Sequence, residues 1–153
     1  MKIIKATIEY SKEISKLMLS DLKNPNYKFP QKMINNFKEH AKEENIIKEF
    51  KNPKLIAFIA INEDKVVGFV VGYEKNPNNV MIRYISAKSD EVKKKLLNMF
   101  IKECKIRNIG KIITDTFEFM DNNNFFKSNG FILTKKENLS KNLEILWYGL
   151  NLI

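Results

Sequence analysis

The stretch that most constrains the fold is a run of strand-forming residues that leads, through a short polar turn, into an amphipathic helix. Residues 80–87, VMIRYISA, are rich in β-branched and aromatic side chains, which favour a pleated sheet. After the turn, apolar residues recur every three or four positions, at Val92, Leu96, Phe100 and Cys104. This period predicts a helix with one buried face. A helix that begins at the carboxyl end of a strand points unpaired N–H groups into the crevice there, so the sequence predicts an anion site at this turn.

The chain is strongly basic, with 27 Lys and Arg residues against 18 Asp and Glu residues and a formal net charge of +9. Arginine occurs only at Arg83 and Arg107, so nearly all the cations are lysines, which bind phosphate as point charges. Nucleic acid, an acidic membrane and a phosphorylated cofactor all suit this charge, and so does a surface kept soluble by lysine. No basic motif interleaved with aromatic residues occurs, which disfavours nucleic acid.

Cysteine and histidine are nearly absent. Cys104 is the only cysteine, so no disulfide can form within the chain, and its place on the apolar stripe predicts a small buried hydrophobe. His40 is the only histidine, and we expect no metal site. No apolar run is long enough to cross a bilayer, and the N-terminus lacks the apolar core of a signal peptide. We therefore expect a cytoplasmic protein with no membrane partner.

The rest of the chain alternates strand and helix patterns. The predicted elements around the central unit are a strand at 3–8, a helix capped by Ser11, one longer helix or two short ones at 33–50, strands at 55–61, 66–73 and 111–115, a loop at 117–124, a short helix from Phe125 to Gly130, and strands at 131–134 and 143–152. The central helix carries the chain back across the sheet, so the strand at 111–115 should lie parallel to the strand at 80–87.

These elements predict a single domain over residues 1–153 of the α+β (mixed α/β) class. Its centre is a mixed, mostly antiparallel sheet of about seven strands, flanked by helices on both faces. The chain is long enough to bury roughly two thirds of the surface that it would expose when unfolded.

The segment 125–131, FFKSNGF, resembles a signature near the C-terminus of the GNAT superfamily, the acyl-CoA-dependent N-acyltransferases. That signature is two aromatic residues, a basic residue, two variable residues, Gly and Phe. The order of the predicted elements from Ile3 to Leu152 resembles that of the family as well, including the VVGF strand at 66–69. The resemblance implies a GNAT-like N-acetyltransferase domain with acetyl-CoA as cosubstrate.

The resemblance also implies where acetyl-CoA binds. In that family the strand before the central helix diverges from its neighbour, the pantetheine arm pairs with backbone in the gap, and the pyrophosphate sits on the helix N-terminus. The amides from Lys88 to Lys94 would then meet the phosphates, and Asn122 to Asn124 either bond the cofactor or form a plain loop. The implied cofactor-binding residues are Ile85, Ala87, Lys88, Ser89, Val92, Lys93, Lys94, Asn123, Phe126 and Lys127.

The pyrophosphate loop departs from the family pattern. The family has Arg or Gln, two residues, Gly, one residue, and Gly or Ala, because glycine lets the backbone approach oxygen atoms. Lys88 takes the basic position here, but Glu91 and Lys93 stand where the glycines belong. Asp90 and Glu91 would each stabilise the helix by about 0.3–1 kcal/mol. Each would repel a pyrophosphate at about 4 Å by roughly 1 kcal/mol in water-like surroundings, and by up to about 4 kcal/mol near a protein surface.

The sequence leaves several candidates for the catalytic proton donor and the general base. Phe126 stands where many family members have the tyrosine that protonates the leaving thiolate, and phenylalanine has no proton to give. The alternative proton donors are Tyr84, Tyr73 and Tyr148. The candidate general bases, each near a predicted strand end, are Glu74, Asp115 and Glu118. We take Tyr84 and Glu74 as the first choices.

Two functions remain open. In the first, an unidentified acceptor amine loses a proton and attacks the thioester of acetyl-CoA directly, while a backbone N–H of the diverging strand holds the oxyanion. In the second, the chain is a non-catalytic GNAT-fold binding module for an acidic partner or nucleic acid, with affinity that falls as salt rises. The missing glycines and Phe126 favour the second function. A homodimer is compatible with either.

Overall fold

The computed structural model describes residues 1–152, which form one seven-stranded sheet with helices on both faces. The elements, in chain order, are β1 (Lys2–Lys5), a 3-10 turn (Ile8–Tyr10), α1 (Ser11–Asp21), α2 (Gln31–His40), α3 (Glu43–Phe50), β2 (Leu55–Asn62), β3 (Lys65–Asn76), β4 (Asn79–Ala87), α4 (Asp90–Ile106), β5 (Lys111–Phe117), α5 (Asn122–Ser128), β6 (Ile132–Ser140) and β7 (Leu143–Asn151). The region predicted as one longer helix or two short ones is the pair α2 and α3.

The predicted sheet is confirmed. The strand order is β1-β2-β3-β4-β5-β7-β6, and β4 with β5 is the one parallel pair among the described strands. This pair is parallel because α4 returns the chain across the sheet before β5 begins. The fold is therefore a mixed, mostly antiparallel α+β sheet, as the sequence predicts.

The two faces of the sheet are covered by different helices, because successive side chains of a strand point to opposite faces. On β3, Phe69 packs in a cluster with Ile14 of α1 and Ile46 of α3, whereas its neighbour Val70 packs in the cluster formed by α4. Cys104 lies in the α4 cluster with 0% exposure, which confirms the buried cysteine. Burial raises the pKa of its thiol to about 12, so this side chain is a core residue.

Some predicted boundaries are wrong. The opening strand ends at Lys5, and Ile8 begins a 3-10 turn instead of extending the strand. Ser11 does not cap α1, because it is already helical and its hydroxyl donates to the Ile8 carbonyl at 2.6 Å. The helix predicted from Phe125 begins at Asn122, one turn earlier, because hydrogen bonds described below hold the chain in a tight turn there.

A β-bulge in β4 opens the sheet beside β5. Gly72 of β3 lies opposite Ile82 of β4, but the preceding residue Val71 lies opposite Tyr84, so Arg83 is an extra residue on β4. A bulge bends its strand and increases the local twist. The guanidinium of Arg83 forms an ion pair with a carboxylate of α3, which connects the bulged residue to a neighbouring helix.

The parallel ladder between β4 and β5 ends immediately before this bulge, at the pair Ile82–Thr114. Beyond that pair, residues 83–87 of β4 bond along the sheet to β3 alone, and residues 115–117 of β5 bond to β7 alone. The two strands therefore diverge, and the space between residues 83–87 and 115–117 is called the gap below. The Thr114 hydroxyl donates to the Ile82 carbonyl at 3.2 Å and closes the inner end of the gap.

Two features of residues 1–152 bear on membranes and metal ions. No helix in this range combines the length and the apolar character that crossing a bilayer requires. No cluster of three or more His, Cys, Asp or Glu side chains in the same range is arranged to hold a metal ion.

Gly72 tests how tightly the bulged strand, β3 and α4 pack. A Cβ at Gly72 would overlap the Met81 carbonyl oxygen and would lie 2.6 Å from Cζ of Phe100, which is fully buried. We expect Gly72→Ala to lower the free energy of unfolding by about 1–3 kcal/mol, measured by urea denaturation, because neither neighbour can move away.

Gly149→Ala is the matched control for that substitution. Gly149 also lies in a strand, but the nearest atom to its added Cβ is Lys111 Cε at 3.0 Å, in a flexible chain that can shift. We expect Gly149→Ala to cost less than Gly72→Ala. Equal stability of the two variants would contradict the close packing at the bulge.

Candidate active site

The gap opens into a cleft of about 960 Å³. Its walls come from the diverging ends of β4 and β5, the N-terminus of α4, the helix α5, and the connection between α1 and α2. A concave site of this volume, lined by both apolar and polar groups, is typical of small-molecule and cofactor sites. The sequence unit that predicts an anion site therefore does lie at a cleft.

Most of the predicted cofactor-binding residues line this cleft. They are Ile85, Ala87, Lys88, Ser89, Lys93, Lys94 and Phe126. Val92, Asn123 and Lys127 lie outside its lining. Lys127 is exposed on α5, and the other two are bonded within the protein as described next.

Only part of the predicted run of amides at the start of α4 is available to a ligand. The Lys88 amide donates to the Val67 carbonyl at 3.0 Å, and the Lys93 amide donates to the Ser89 carbonyl at 3.0 Å. Ser89 caps the helix, because its Oγ accepts from the Val92 amide at 3.2 Å. Within residues 1–152 the amides of Ser89, Asp90 and Glu91 have no acceptor, so the unpaired part of the amide run predicted from Lys88 to Lys94 is these three residues.

Charges of both signs surround these three amides. Lys88, Lys94 and Asp90 line the cleft, while Glu91 forms an exposed ion pair with Lys95 at 3.4 Å. The first helical turn thus holds carboxylates that favour the helix N-terminus and oppose an anionic ligand at the same place.

Lys93 bridges α4 and α5 at the side of the cleft. Its Nζ donates to Asn122 Oδ1 at 2.8 Å and lies 5.1 Å from the centroid of the Phe125 ring. Burial lowers the pKa of this amine, although Asp90 and other nearby carboxylates oppose the shift. Lys93 therefore connects the two helices in addition to adding charge to the cleft.

Asn123, one of the predicted cofactor-binding residues, holds the turn between β5 and α5 together. It is 8% exposed, and its Nδ2 donates to the carbonyls of Phe117, Glu118 and Met120 at 2.8–3.0 Å. Its Oδ1 accepts from the Tyr148 hydroxyl at 2.9 Å. Both polar atoms of the side chain are thus already bonded, and the residue supports the cleft from behind.

The structure places only some of the candidate aromatic residues in the lining of the cleft. Phe126 is 1% exposed and packs against Phe131, with ring centroids 5.1 Å apart, so its apolar ring forms part of the cleft wall. Tyr73 and Tyr148 are outside the cleft lining, and their hydroxyls donate to Met81 Sδ at 3.7 Å and to Asn123.

Tyr84 is the candidate proton donor that does line the cleft. Its hydroxyl donates to Asp21 Oδ2 at 2.6 Å, and its ring stacks on Phe69 with centroids 5.2 Å apart. Burial, together with the charge of Asp21, raises the pKa of this phenol well above its usual value. Tyr84 is therefore a neutral phenol whose proton is directed at a carboxylate.

Only one of the three candidate general bases lines the cleft. Glu74 pairs in the sheet with Val80, at the start of β4, and forms an ion pair with Arg107 at 3.1 Å. It therefore lies at the opposite end of β4 from the gap, and the structure does not bring this predicted general base to the cleft. Glu118 is exposed outside the cleft lining, whereas Asp115 lines the cleft.

Asp115 is the carboxylate on the outer wall of the gap. Burial raises the pKa of its carboxyl above the usual value, and the charge of Glu137 acts in the same direction. Among the described residues, Asp115 has no ion-pair partner. A carboxylate with a raised pKa is a better proton acceptor, so this group has the chemistry of a general base.

The whole chain superposes on solved acetyltransferases. An acetyltransferase of the GNAT family from Staphylococcus aureus Mu50 is 25% identical, with 99% of each chain covered and a TM-score of 0.79. An aminoglycoside 6'-N-acetyltransferase in complex with coenzyme A is 15% identical, with 100% of this chain and 98% of that chain covered and a TM-score of 0.80. This chain has the GNAT acetyltransferase fold.

A third GNAT-fold neighbour is the PaiA N-acetyltransferase from Thermoplasma acidophilum in complex with coenzyme A. It is 16% identical, with 95% of this chain and 96% of that chain covered and a TM-score of 0.79. The sequence matches no protein-family model. It also matches no curated protein. The GNAT fold predicted from the FFKSNGF segment and the element order is therefore confirmed by similarity to solved structures, and not by a family model or a curated relative.

Sequence reasoning missed an aromatic cluster at the GNAT-fold cleft, Tyr27, Phe29, Phe117 and Phe119, which we call the aromatic wall. The first three residues line the cleft, and Phe119 packs against them. Phe29 lies at the centre of this wall, with its ring centroid 5.1 Å from those of Phe117 and Phe119. The wall joins the α1–α2 connection to the end of β5. The only sequence signal is a pair of aromatic residues between Pro25 and Pro30, without helical or strand periodicity.

Asn123 generates a stability prediction. Asn123→Ala removes the bonds to three loop carbonyls and leaves the buried Tyr148 hydroxyl without its partner. We expect the free energy of unfolding to fall by about 2–4 kcal/mol, measured by urea denaturation. Asn124 is the control, since it is exposed and no side-chain bond holds it, and Asn124→Ala should change stability by no more than about 0.5 kcal/mol. Equal stability of the two variants would contradict the anchoring role.

Proposed function

We propose that this GNAT-fold chain is an N-acetyltransferase that moves an acetyl group from acetyl-CoA to an amine by direct attack. The gap is the observation that carries the proposal. It offers two strand edges that have no partner strand on the gap side, and it leads to the unpaired amides of Ser89, Asp90 and Glu91. Two neighbours of the same fold are complexes with coenzyme A, which supports an acyl-CoA at the gap of this chain.

The acyl donor fits the gap by its chemistry. The pantetheine arm carries amide groups that can pair with a strand edge as an added strand does. The pyrophosphate would meet the amides of Asp90 and Glu91, with Lys88 and Lys94 supplying positive charge nearby. Lys93 stands beside this path and is held by Asn122.

Asp115 is the proposed general base. The acceptor amine would approach along the aromatic wall, transfer a proton to Asp115 and attack the thioester carbon. A C–N bond forms, the C–S bond breaks, and the thiolate leaves. Phe126 cannot protonate that thiolate. A thiolate is a good leaving group, since a thiol is a far stronger acid than an alcohol (the cysteine side chain has a pKa of about 8.5), so solvent can supply the proton.

The proposal is tested by calorimetric titration with acetyl-CoA, followed by an assay of free thiol release over a panel of amines. We expect binding, and thiol release that depends on the amine. No binding at millimolar acetyl-CoA would reject the proposal. Binding without turnover over the whole panel would favour the alternative, a non-catalytic GNAT-fold binding module.

Asp90 tests the electrostatics of the site. Asp90→Asn removes a negative charge beside the unpaired amides, and we expect acetyl-CoA to bind about fivefold more tightly, which corresponds to roughly 1 kcal/mol. Calorimetry at low and high salt should show the gain shrinking as salt rises. Asp64, exposed in the turn between β2 and β3, provides the control Asp64→Asn, which should leave the affinity unchanged. Weaker binding by Asp90→Asn would contradict a phosphate site at these amides.

Asp115 tests the chemistry. We expect Asp115→Asn to lower kcat by roughly 10²–10⁴-fold, as loss of a general base does. In the wild type, kcat/KM should rise with pH as Asp115 loses its proton, and the variant should lack this limb. Glu118→Gln, at an exposed position outside the cleft, is the control and should keep both kcat and the pH limb.

Stability separates this loss of chemistry from a folding defect. Because the pKa of Asp115 is raised in the folded state, the stability contributed by its protonated form is lost as pH rises through that pKa. Asp115→Asn should therefore be more stable than the wild type at neutral pH, and the difference should vanish below the unfolded pKa of about 3.9. A variant that is both inactive and less stable at neutral pH would argue against the assignment.

A further inference from the structure

Thr116 carries an orphaned hydroxyl in the wall of the cleft. The residue is 5% exposed, and its Oγ1 is the one buried side-chain nitrogen or oxygen atom of residues 1–152 that has no hydrogen-bond partner. Buried hydroxyls in folded proteins are almost always bonded. Thr116 lines the cleft at the diverging end of β5, beside the gap.

The gap explains why this hydroxyl is unpaired. Thr114 lies two residues earlier on the same face of β5, and its hydroxyl donates to the Ile82 carbonyl at 3.2 Å, where β4 and β5 are still paired. After Ile82 the bulge turns β4 away. Thr116 therefore has the same position on β5 as Thr114, but β4 is no longer beside it to offer a carbonyl to its hydroxyl.

We propose that the Thr116 hydroxyl hydrogen-bonds an amide group of the acyl-donor arm that occupies the gap. This inference rests on the proposed function and goes beyond it, because it assigns one side chain that hydrogen-bonds the arm at one position along the gap. Strand edges alone recognise any extended chain. A single buried hydroxyl at one level of the gap recognises an arm whose amide falls opposite it and disfavours a purely hydrocarbon arm, which would leave the hydroxyl unpaired.

The inference predicts opposite effects of one substitution on the free and bound protein. Thr116→Val keeps the shape of the side chain and removes the hydroxyl. We expect the ligand-free variant to melt about 2–4 °C higher than the wild type, because a buried polar group without a partner has been replaced by an apolar one. The same variant should bind acetyl-CoA about three- to tenfold more weakly, because it lacks the bond to the arm.

Thr114→Val is the matched control for stability. Both threonines are buried on the same face of β5, but the Thr114 hydroxyl is bonded. Thr114→Val should therefore lower the melting temperature by a similar amount, because it leaves the Ile82 carbonyl unpaired. A fall in melting temperature for Thr116→Val as well would mean that its hydroxyl has an internal partner, such as a buried water, and would overturn the inference.

Binding is measured with two probes by calorimetry. Acetyl-CoA contains the arm, whereas adenosine 3',5'-bisphosphate contains the nucleotide end alone. We expect Thr116→Val to weaken binding of acetyl-CoA and leave binding of the bisphosphate unchanged, and Thr116→Ser to restore most of the affinity. Equal weakening for both probes, or for neither, would overturn the role of Thr116.

The outcomes also separate this inference from the proposed function. If the wild type binds and uses acetyl-CoA while Thr116→Val binds it equally well, the inference falls and the transferase stands. If the wild type binds no acetyl-CoA at millimolar concentration, the proposed function and the inference fall together.

Discussion

One extra residue in β4 determines where the sheet of this protein opens. The bulge at Arg83 ends the parallel ladder at Ile82–Thr114 and separates two strands that would otherwise stay paired. It also changes the face to which later side chains point. Ile82 and Ile85 both pack in the α4 cluster, whereas Tyr84 packs on the opposite face with Phe69. The gap, its unpaired edges and the phenol at its side therefore share one cause.

Stability and ligand binding compete around this gap. At the start of α4, the Ser89 cap and two acidic residues stabilise the helix, but they also occupy one amide and bring negative charge to the place where a phosphate would sit. Thr116 has the opposite effect: its buried hydroxyl lacks a partner, which costs stability in the ligand-free fold. The first feature favours the free protein, and the second favours a bound state. Under the proposed function, the affinity for acyl-CoA would depend on the difference between the two.

Sequence periodicity was enough to predict the sheet and its parallel pair, because those features depend on local pattern and chain connectivity. The cofactor-binding residues at 85–94 came from the resemblance to the GNAT family, and most of them line the cleft. Other features depend on tertiary structure, which the sequence pattern does not show. Glu74 does lie near a strand end, but antiparallel pairing places that end away from the gap. Asn123 looks like a loop residue, and only the folded turn surrounds it with carbonyl acceptors. The aromatic wall at Tyr27 lacks periodicity, and the orphaned hydroxyl of Thr116 exists only because a distant bulge displaces β4.

Amide hydrogen exchange with and without acetyl-CoA tests most directly whether the gap receives an acyl-CoA. The expected result is slower exchange at residues 83–91 and 115–117 in the presence of ligand, because both strand edges and the first turn of α4 become covered. The hairpin turn at 62–65 and the turn at 140–143 should exchange at unchanged rates. Unchanged exchange across the gap at saturating acetyl-CoA, or protection confined to other segments, would contradict the claim that this opening in the sheet is the acyl-CoA site.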